Sequence, residues 1–423
     1  MDLKRKVAAL AALALAVASL EACSGSGVLP NQSAPRARQA SVTGTPADSP
    51  EGLPGDSPAG LPGDSPESLP GDSPEALPGG DLALCPDARP GVARCLAVQN
   101  TGVLPLSDPA ATPLEIRGLH PADIRSAYGL PAGGGDGQTV AIVDAYDDPG
   151  AEADLAVYRN AFGLTPCTTL NGCFQKTAQD GSTRYPAPNA AWATEIALDL
   201  DVVSATCPRC RILLVEASSA SLDDLAASDD RAVALGATVV SNSYDAAEWP
   251  GEAALETHYA HRGVPITVSS GDGGIPTYPA ASRYVTAVGG TTLTRNGSGW
   301  TQSPWKNAGH GCSYYMWRPY WQPKGPCHNA RSTVDIAVVA DPQTGVAVYD
   351  DFSNSGQAGG WIVVGGTSVG APLVASAYAL AGNGRSINSA WYAYQHRDAF
   401  TDIGPAGFDA YAGIGSPRNV TGF

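Results

Sequence analysis

Basic residues are scarce in this chain. It has 25 Lys and Arg against 41 Asp and Glu, which gives a formal net charge of −16 over 423 residues. No basic stripe appears anywhere along the sequence, and this excludes the electrostatic footprint of a nucleic-acid-binding protein. The acidic balance favours a protein that must stay dissolved in an exported state.

The chain also lacks a long apolar segment at its amino terminus. Three basic residues precede an apolar stretch, residues 7–20, which is too short and too rich in small residues to be a stable membrane span. The stretch leads to Cys23 in a context that resembles a bacterial lipoprotein cleavage site, although Glu21 fits that pattern poorly. We expect residues 1–23 to be a signal peptide, with either lipidation of Cys23 or plain cleavage. The protein is then secreted or a cell-surface lipoprotein that meets the membrane only through Cys23.

An octapeptide repeat follows. From Asp48 the chain reads DSPEGLPG, DSPAGLPG, DSPESLPG and DSPEALPG, with no helical or strand periodicity. Such a composition buries too little apolar surface to fold, so residues 24–80 are interpreted as a disordered acidic linker rather than as a partner-binding repeat. At about 3 Å per residue, the linker could hold a folded domain roughly 100 Å from its anchor.

The cysteines indicate an oxidising compartment. Behind the signal, eight of them fall into four pairs of sequence neighbours. We therefore expect the disulfides Cys85–Cys95, Cys167–Cys173, Cys207–Cys210 and Cys312–Cys327. Cys207-Pro-Arg-Cys210 alone has a redox or zinc alternative, but no second pair follows at metal-ligand spacing.

From about residue 81 the chain alternates apolar runs with helical patterns. The runs are apolar on both faces, which is typical of strands in a parallel sheet that helices cover on both sides. About 340 residues without a second linker predict one catalytic domain, residues 117–423, after a short pre-domain segment, residues 81–116. Ligands of such sheets bind at the carboxyl ends of the strands. The polar residues that follow the runs are Asp144, Asn242, Asp272 and Ser368.

Histidine is missing where one is needed. "WIVVGGTSVGAP" predicts a buried strand that runs through Gly-Thr-Ser into a helix, a presentation typical of a serine nucleophile, here Ser368. None of the six histidines lies in a His-Gly-Thr-His context that would supply its base. A different group must accept the serine's proton, or Ser368 is not a nucleophile.

Two carboxylates on one predicted helix offer an answer. Glu195 and Asp199 are four residues apart, so their side chains lie on one helical face. The rest of the helix is strongly apolar, which indicates burial, and burial beside a like charge raises a carboxyl pKa. Spacing alone leaves a solvated acidic stripe open as the alternative, because Asp201 lies nearby.

Together these motifs resemble the sedolisins, or serine-carboxyl peptidases, from about residue 117 to the carboxyl terminus. "GGTSVGAP" resembles the family's Ser-Gly-Thr-Ser-x-x-x-Pro motif with Gly365 in place of its first serine, and "EIALD" matches its Glu-x-x-x-Asp helix. "SSGDGG" followed by "YPAASRYVTAVGGT" matches the stretch around its oxyanion aspartate, and "HPADIRSAYGLP" its domain start. The resemblance implies a subtilisin-like α/β fold in which a glutamate replaces histidine.

The resemblance also implies roles for individual residues. Ser368 is the nucleophile, Glu195 the general base, and Asp199 its hydrogen-bonding partner. Asp272, protonated, and the Ser368 N–H stabilise the oxyanion, because an ionised carboxylate there would repel it. Asp144 supports the carboxylate pair.

Tyr244 stands where the family has a tryptophan. Asn242, Ser243 and Gly271 are expected to contact substrate. Only a short segment replaces the large propeptide of the family, so either no prodomain is needed or residues 85–116 serve as one.

A calcium site near the carboxyl terminus follows from the same resemblance. The stretch "TDIGPAGFDAYAGIGSP" offers the carboxylates of Asp402 and Asp409 and the carbonyls of Ile403 and Gly407, and calcium prefers oxygen ligands. The loop is shorter than the family's, and an ordinary aspartate-capped turn is the alternative.

We therefore expect an exported, monomeric endopeptidase that hydrolyses polypeptides through a Ser-Glu-Asp triad, with a bell-shaped pH profile roughly between pH 3 and 5. One alternative is a catalytically weak or inactive relative that binds peptides in the same cleft. A two-carboxylate glycosidase is disfavoured, because adjacent turns of one helix cannot flank a glycosidic bond from both sides.

Overall fold

A computed structural model describes residues 75–77, 80–352, 359–387 and 389–423 of the chain. The predicted signal peptide, Cys23 and the first three repeats lie outside the described residues. The last repeat is described only at residues 75–77, where Glu75 and Ala76 form a short strand. The described residues therefore begin slightly before the predicted linker boundary at residue 80.

The described residues form short and long strands. In chain order they are β1 Glu75–Ala76, β2 Leu82–Ala83, β3 Arg94–Cys95, β4 Val98–Gln99, β5 Thr139–Ala145, β6 Phe174–Ala178, β7 Arg211–Ala217, β8 Val239–Asn242, β9 Tyr244–Ala247, β10 Ile266–Ser269, β11 Thr277–Tyr278, β12 Thr286–Asn296, β13 Gly299–Pro304, β14 Cys312–Trp317, β15 Ala330–Ser332, β16 Ile336–Val339, β17 Val346–Asp350, β18 Gly360–Gly365, β19 Phe400–Thr401 and β20 Ser416–Pro417.

The helices among the described residues include one that carries the predicted carboxylate pair. They are α1 Pro121–Ala127, α2 Ala151–Ala161, α3 Ala190–Thr206, α4 Leu222–Ala234, α5 Gly370–Ala381 and α6 Trp391–Gln395. Short 3₁₀ helices lie at Glu252–Tyr259, Pro342–Thr344, Thr367–Val369, Gly384–Ser386, Arg397–Ala399 and Val420–Gly422.

The central sheet confirms the predicted parallel α/β architecture. Its strand order is β13-β12-β10-β8-β5-β7-β6, and β16 also pairs with β12. Every pair is parallel except β12–β13. Because these strands run in one direction, their carboxyl ends share one edge, where polar residues can converge.

Alternate residues of β5 show how helices cover the two faces of the sheet. Val140 and Ile142 pack into one core with Ile196 of α3. Ala141 and Val143 pack into the other core with α4. A strand that is buried on both faces has an apolar residue at every position, which explains the unbroken apolar runs of the sequence.

The predicted pre-domain segment is built into the fold. Its strands β2 and β4 join β17 and β18 in an antiparallel sheet of order β1-β2-β4-β18-β17, and β3 pairs with β9. Ala97, Ala111 and Ile116 are buried in the same core as the main helices. Residues 81–116 therefore do not form a separate body before the catalytic domain.

All four predicted disulfides are confirmed: Cys85–Cys95, Cys167–Cys173, Cys207–Cys210 and Cys312–Cys327. Four such bonds are consistent with an extracellular location. Within the described residues, no helix combines the length and apolar character that crossing a bilayer requires.

Candidate active site

Ser368 lies in a single 3₁₀ turn between strand β18 and helix α5. The turn depends on the glycines before it. Gly366 has φ of +97°, and a Cβ there would come within 1.8 Å of the Leu96 carbonyl oxygen. At Gly365, where the family motif has serine, a Cβ would lie 2.4 Å from the Pro342 nitrogen. The local packing thus accounts for the departure from the motif.

Helix α3 brings Glu195 and Asp199 to this turn. The Asn189 side chain caps the helix by accepting hydrogen bonds from the Ala191 and Trp192 amides, and residues 192–206 are all buried. A helix surrounded by protein on all sides takes its carboxylates out of water, which makes their charged forms costly. Both side chains are fully buried, so the solvated acidic stripe that the sequence left open is not what the structure has.

Burial raises the pKa of Glu195 to about 8, while the nearby Ser368 hydroxyl and the amides of Leu96 and Ala97 oppose the rise and the Asp272 carboxyl adds to it. Of these neighbours only the Leu96 amide makes a hydrogen bond to Glu195, and Glu195 Oε1 has no hydrogen-bond partner among the described residues. The Ser368 hydroxyl makes a long hydrogen bond of 3.4 Å to the Ser243 carbonyl. Glu195 is thus a carboxyl of raised basicity next to the serine that was predicted to need a base.

Asp199 is held by Ser243. The Ser243 hydroxyl lies 2.8 Å from both Asp199 oxygens and 3.3 Å from the Ser368 carbonyl. Burial raises the pKa of Asp199 well above its ordinary value, and Asp144 and Glu195 add to the rise. The structure has no hydrogen bond between Asp199 and Glu195, which corrects the prediction: both Asp199 oxygens face Ser243, and Glu195 Oε1 has no hydrogen-bond partner among the described residues. The two carboxyls influence each other through their charges instead.

Asp144 stands at the end of β5, opposite Glu216 of β7. It is fully buried, and neither carboxylate oxygen has a hydrogen-bond partner among the described residues. Burial, then Glu195 and Glu216, raise its pKa. Asp144 therefore lies within the buried acidic group. Burial raises the pKa of Tyr244, and Asp144 makes a small further contribution.

Asp272 faces the same turn from the loop after β10. Its Oδ1 accepts hydrogen bonds from the Thr367 amide and hydroxyl, both at 2.8 Å. Its Oδ2 has no partner among the residues described and lies 2.8 Å from the point where a Gly366 Cβ would be. Burial raises the pKa of Asp272 to about 7, so the carboxyl is neutral in the acid range.

Residues 93–99, which we call the strap, lie across this group. The Leu96 amide donates to Glu195 Oε2 at 2.7 Å. On one side Arg94 and Cys95 pair with Asp245 and Tyr244 of β9, and on the other Val98 and Gln99 pair with Gly365 and Val364 of β18. An extended peptide of the chain itself therefore lies between Glu195 and Asp272.

The sequence reasoning missed the strap, its partner Asp245, and Thr367, which bonds to Asp272. The strap contains no motif, and its strands are two residues long, so local patterns give no signal for them. The cysteine pair that ends at Cys95 is the one feature that marks it as ordered.

One of the predicted substrate contacts, Asn242, is directed elsewhere. The Asn242 amide donates to Asp229 of α4 at 3.0 Å, on the face of the sheet opposite α3. Gly271 lies against Asp245, since a Cβ there would be 2.4 Å from Asp245 Oδ2. Ser243 is engaged with Asp199 and Ser368, and the Gly271 amide donates to the Thr367 hydroxyl at 3.1 Å, so these two lie at the nucleophile turn and Asn242 does not.

The predicted calcium ligands lie in one turn near the carboxyl terminus. Asp402 Oδ2 accepts from the Gly407 amide at 2.7 Å, and Asp409 Oδ1 accepts from the Tyr411 and Ala412 amides. Asp409 Oδ2 is buried without a hydrogen-bond partner among the described residues. Burial raises the pKa of Asp409, and Asp402 adds to it. Two nearby carboxylates, one with a free oxygen, fit a hard cation.

Among the described residues there is no metal-binding cluster of three or more His, Cys, Asp or Glu side chains. A calcium ion in the carboxyl-terminal turn would therefore need the carbonyls of Ile403 and Gly407 besides the two carboxylates. Such mixed oxygen sets are common for calcium.

Comparison with known proteins agrees with the geometry. Kumamolisin of Bacillus sp. (strain MN-32) is 30% identical over 296 residues, which are 60% of this chain and 50% of the relative, so the chain spans about half the length of the curated relative it matches. No protein-family model matches the chain.

A solved structure of Pseudomonas sedolisin, a serine-carboxyl proteinase complexed with two molecules of pseudo-iodotyrostatin, superposes with a TM-score of 0.61 at 22% identity. The match covers 72% of this chain and 96% of that one, which confirms the subtilisin-like fold. The two likenesses agree with the resemblance seen in the sequence: the chain is similar in sequence to kumamolisin and in fold to Pseudomonas sedolisin.

Proposed function

We propose that the protein is an exported, acid-active endopeptidase that cleaves polypeptides through Ser368, Glu195 and Asp272. The observation that carries this proposal is the position of the Leu96 peptide. Its N–H is bonded to Glu195, and its carbonyl oxygen lies beside Gly366, on the side of Asp272. The cleft thus accepts an extended peptide between a candidate base and a candidate oxyanion donor.

The reaction begins when Ser368 Oγ attacks the substrate carbonyl carbon and Glu195 accepts the hydroxyl proton. The carbonyl oxygen becomes an oxyanion, to which protonated Asp272 and the Ser368 N–H donate hydrogen bonds. Glu195 then passes its proton to the leaving amine as the C–N bond breaks. Water, activated by the same carboxylate, releases the acyl group from Ser368.

Asp199, Ser243 and Asp144 are positioning residues in this scheme. The Ser243 hydroxyl ties Asp199 to the Ser368 carbonyl, so the helix that carries the base and the turn that carries the nucleophile are linked. The like charges of Asp144 and Asp199 raise the pKa of the buried group and keep the number of negative charges low in acid. Glu195 acts as the general base when it is the ionised member of this group.

The strap gives the pre-domain segment a role. Because residues 93–99 fill the cleft, a substrate can enter only after they have moved or been cut. We therefore interpret residues 81–116 as a short pro-segment and Leu96–Ala97 as the bond presented to Ser368. Acidification of the full chain, followed by mass spectrometry, should reveal a new amino terminus at Ala97 that Ser368→Ala does not produce.

The turn that contains Asp402 and Asp409 would hold a calcium ion that stabilises the fold. The free oxygen of Asp409 and the closeness of the two carboxylates support this role. Residues 1–23 would direct export, with Cys23 as a lipid anchor where it is acylated. The four disulfides fit that destination.

Incubation with a denatured protein at about pH 4, and separately with oligosaccharides, tests the reaction class. We expect peptide products only, and we expect Ser368→Ala to abolish them while its melting curve stays unchanged. Substantial turnover by that variant would exclude Ser368 as the nucleophile. Binding of peptides without any turnover would identify the chain as the inactive relative instead.

A further inference from the structure

The strap shows the register in which an extended peptide can pair with the strands of the cleft. It pairs with β9 before Leu96 and with β18 after it, so one extended chain adds a strand on each side of Ser368. Peptide substrates bind to sheet edges in this way, through main-chain hydrogen bonds, while pockets read alternate side chains. If Leu96 precedes the scissile bond, then Arg94 is the third residue on the amino-terminal side of that bond.

Arg94 meets a carboxylate that belongs to the cleft. Its Nε donates to Asp245 Oδ1 at 3.0 Å, and the Asp245 side chain is only 1% exposed. Asp245 Oδ2 has no hydrogen-bond partner among the described residues. The second anionic contact of Arg94 is Asp87 at 3.2 Å, which is 79% exposed and lies within the amino-terminal segment itself.

Removing the strap would leave Asp245 alone. Burial raises its pKa, and the Arg94 guanidinium acts against the rise. A buried carboxylate without a partner is costly, whereas a partner of opposite charge with good hydrogen-bond geometry restores it. An incoming peptide that places a cation at the same position would satisfy Asp245, and a neutral side chain would not.

The surroundings leave room for a guanidinium. Gly273 lies beside the Arg94 side chain, and a Cβ there would be 3.5 Å from its Nη2. On the other side of Asp245, a Cβ at Gly271 would collide with Oδ2 at 2.4 Å, so that glycine lets the carboxylate lie close beneath the loop. Gly271 and Gly273, which flank Asp272, therefore leave the space that the carboxylate and the guanidinium occupy.

We propose that Asp245 makes the cleft selective for a basic residue, arginine above all, at the third position on the amino-terminal side of the scissile bond. This selectivity rests on the proposed peptidase function for its catalytic readout. It names the class of substrate that the site takes: extended polypeptide segments with a cation two residues before the residue that faces Glu195.

The test compares two peptides, Ala-Arg-Ser-Leu-Ala-Val-Gln-Asn and the same peptide with citrulline for arginine. Citrulline keeps the shape and removes the charge. With the acid-activated full-length enzyme we expect kcat/KM for the arginine peptide to be about 10- to 100-fold higher, the range of a hydrogen bond between charged groups. Asp245→Asn should lower the arginine value to the citrulline value and leave the citrulline value unchanged.

Asp87→Asn is the matched control, because it removes the exposed carboxylate that Arg94 also contacts, and it should leave the ratio unchanged. Equal rates for the two peptides in the wild-type enzyme would overturn the proposal. So would a preference for arginine that persists in Asp245→Asn.

A binding measurement separates this proposal from the proposed function. The Ser368→Ala, Arg94→Gln double variant cannot cleave its own strap, and this strap lacks the cation that pairs with Asp245. The strap therefore binds the cleft less tightly, and an added peptide can displace it. We expect it to bind the arginine peptide at least about tenfold more tightly than the citrulline peptide. A tenfold preference without turnover by the wild type would refute the peptidase and keep the selectivity. Turnover by the wild type together with equal binding of the two peptides would support the peptidase function and refute the selectivity.

Discussion

Asp199 and Asp229 are two buried aspartates on opposite faces of the central sheet. Consecutive residues at the end of β8 hold them: Ser243 bonds to Asp199 of α3, and Asn242 bonds to Asp229 of α4. Burial raises the pKa of both well above the ordinary value. What distinguishes them is the neighbourhood, because only Asp199 shares its surroundings with Glu195 and Ser368. A shifted pKa alone therefore does not mark a catalytic group.

The largest expected effect comes from the base itself. Glu195→Gln keeps the shape of the side chain but cannot accept a proton, so peptide cleavage should fall about 10²- to 10⁴-fold at every pH. Asp229→Asn, on the other face, should change kcat/KM less than a few-fold. Steady-state kinetics on one peptide measures both. An active Glu195→Gln enzyme would show that another group activates Ser368.

The two aspartates themselves should differ in the pH profile. Asp199→Asn removes a like charge beside Glu195, so the pKa of Glu195 falls and the acidic limb of kcat moves to lower pH. A shift of one unit changes the ionised fraction about tenfold below the pKa. Asp229→Asn has no such neighbour and should leave the limb in place. Equal shifts in both variants would mean that burial, and not position, sets the profile.

Asp272 controls the other limb. Because burial raises its pKa to about 7, the neutral donor form persists through the acid range and is lost as the pH rises through that value. The basic limb should therefore lie higher than the pH 3–5 window that we predicted from sequence, and the raised pKa of Glu195 moves the acidic limb upward as well. Asp272→Asn still donates a hydrogen bond but cannot ionise, so it should keep some activity and lose this limb. A basic limb that is unchanged in the variant would assign it to another group.

Both faces should contribute to a fold that is more stable in acid. Carboxyls with raised native pKa values, such as Glu216 and Asp148 at about 8, hold protons that the unfolded chain releases near pH 4. Their contribution to the free energy of unfolding is complete below the pKa that they have in the unfolded chain. It is lost as the pH rises through the pKa that they have in the folded state. The melting temperature should fall from about pH 4 to 8, by about 2–4 °C per kcal/mol lost. A melting temperature that rises over this interval would contradict the burial of these groups.

The smallest effect concerns a third buried aspartate, Asp409. If its free oxygen binds calcium, a chelator should lower the melting temperature by a few degrees, because an ion at 100 times its Kd stabilises the folded state by about 2.7 kcal/mol. Asp409→Asn should mimic the loss and remove the response to the chelator. A chelator response that is intact in this variant would place the ion elsewhere.

The sequence predicted what local periodicity and spacing encode. The apolar runs gave the parallel sheet, the i, i+4 spacing put Glu195 and Asp199 on one face of a helix, and neighbouring cysteines gave the disulfides. Contacts across long sequence separations were beyond it. The Leu96–Glu195 bond joins residues 99 apart and the Arg94–Asp245 bond residues 151 apart, and neither has a local signal. The sequence also could not show that the Asn242 amide points toward α4, because this depends on which face of the sheet α4 covers.

The strap ties activation to location. Leu96–Ala97 is the bond that we propose Ser368 cuts, and the octapeptide repeats and any anchor at Cys23 are all on its amino-terminal side. Cutting that bond would break the covalent link between the domain and its linker, and the β2–β4 and β3–β9 pairings and the Arg94–Asp245 ion pair would still join the two pieces. The cleft opens and the domain is released when these contacts separate. An enzyme that matures in this way would start work at the moment it leaves the surface that carried it.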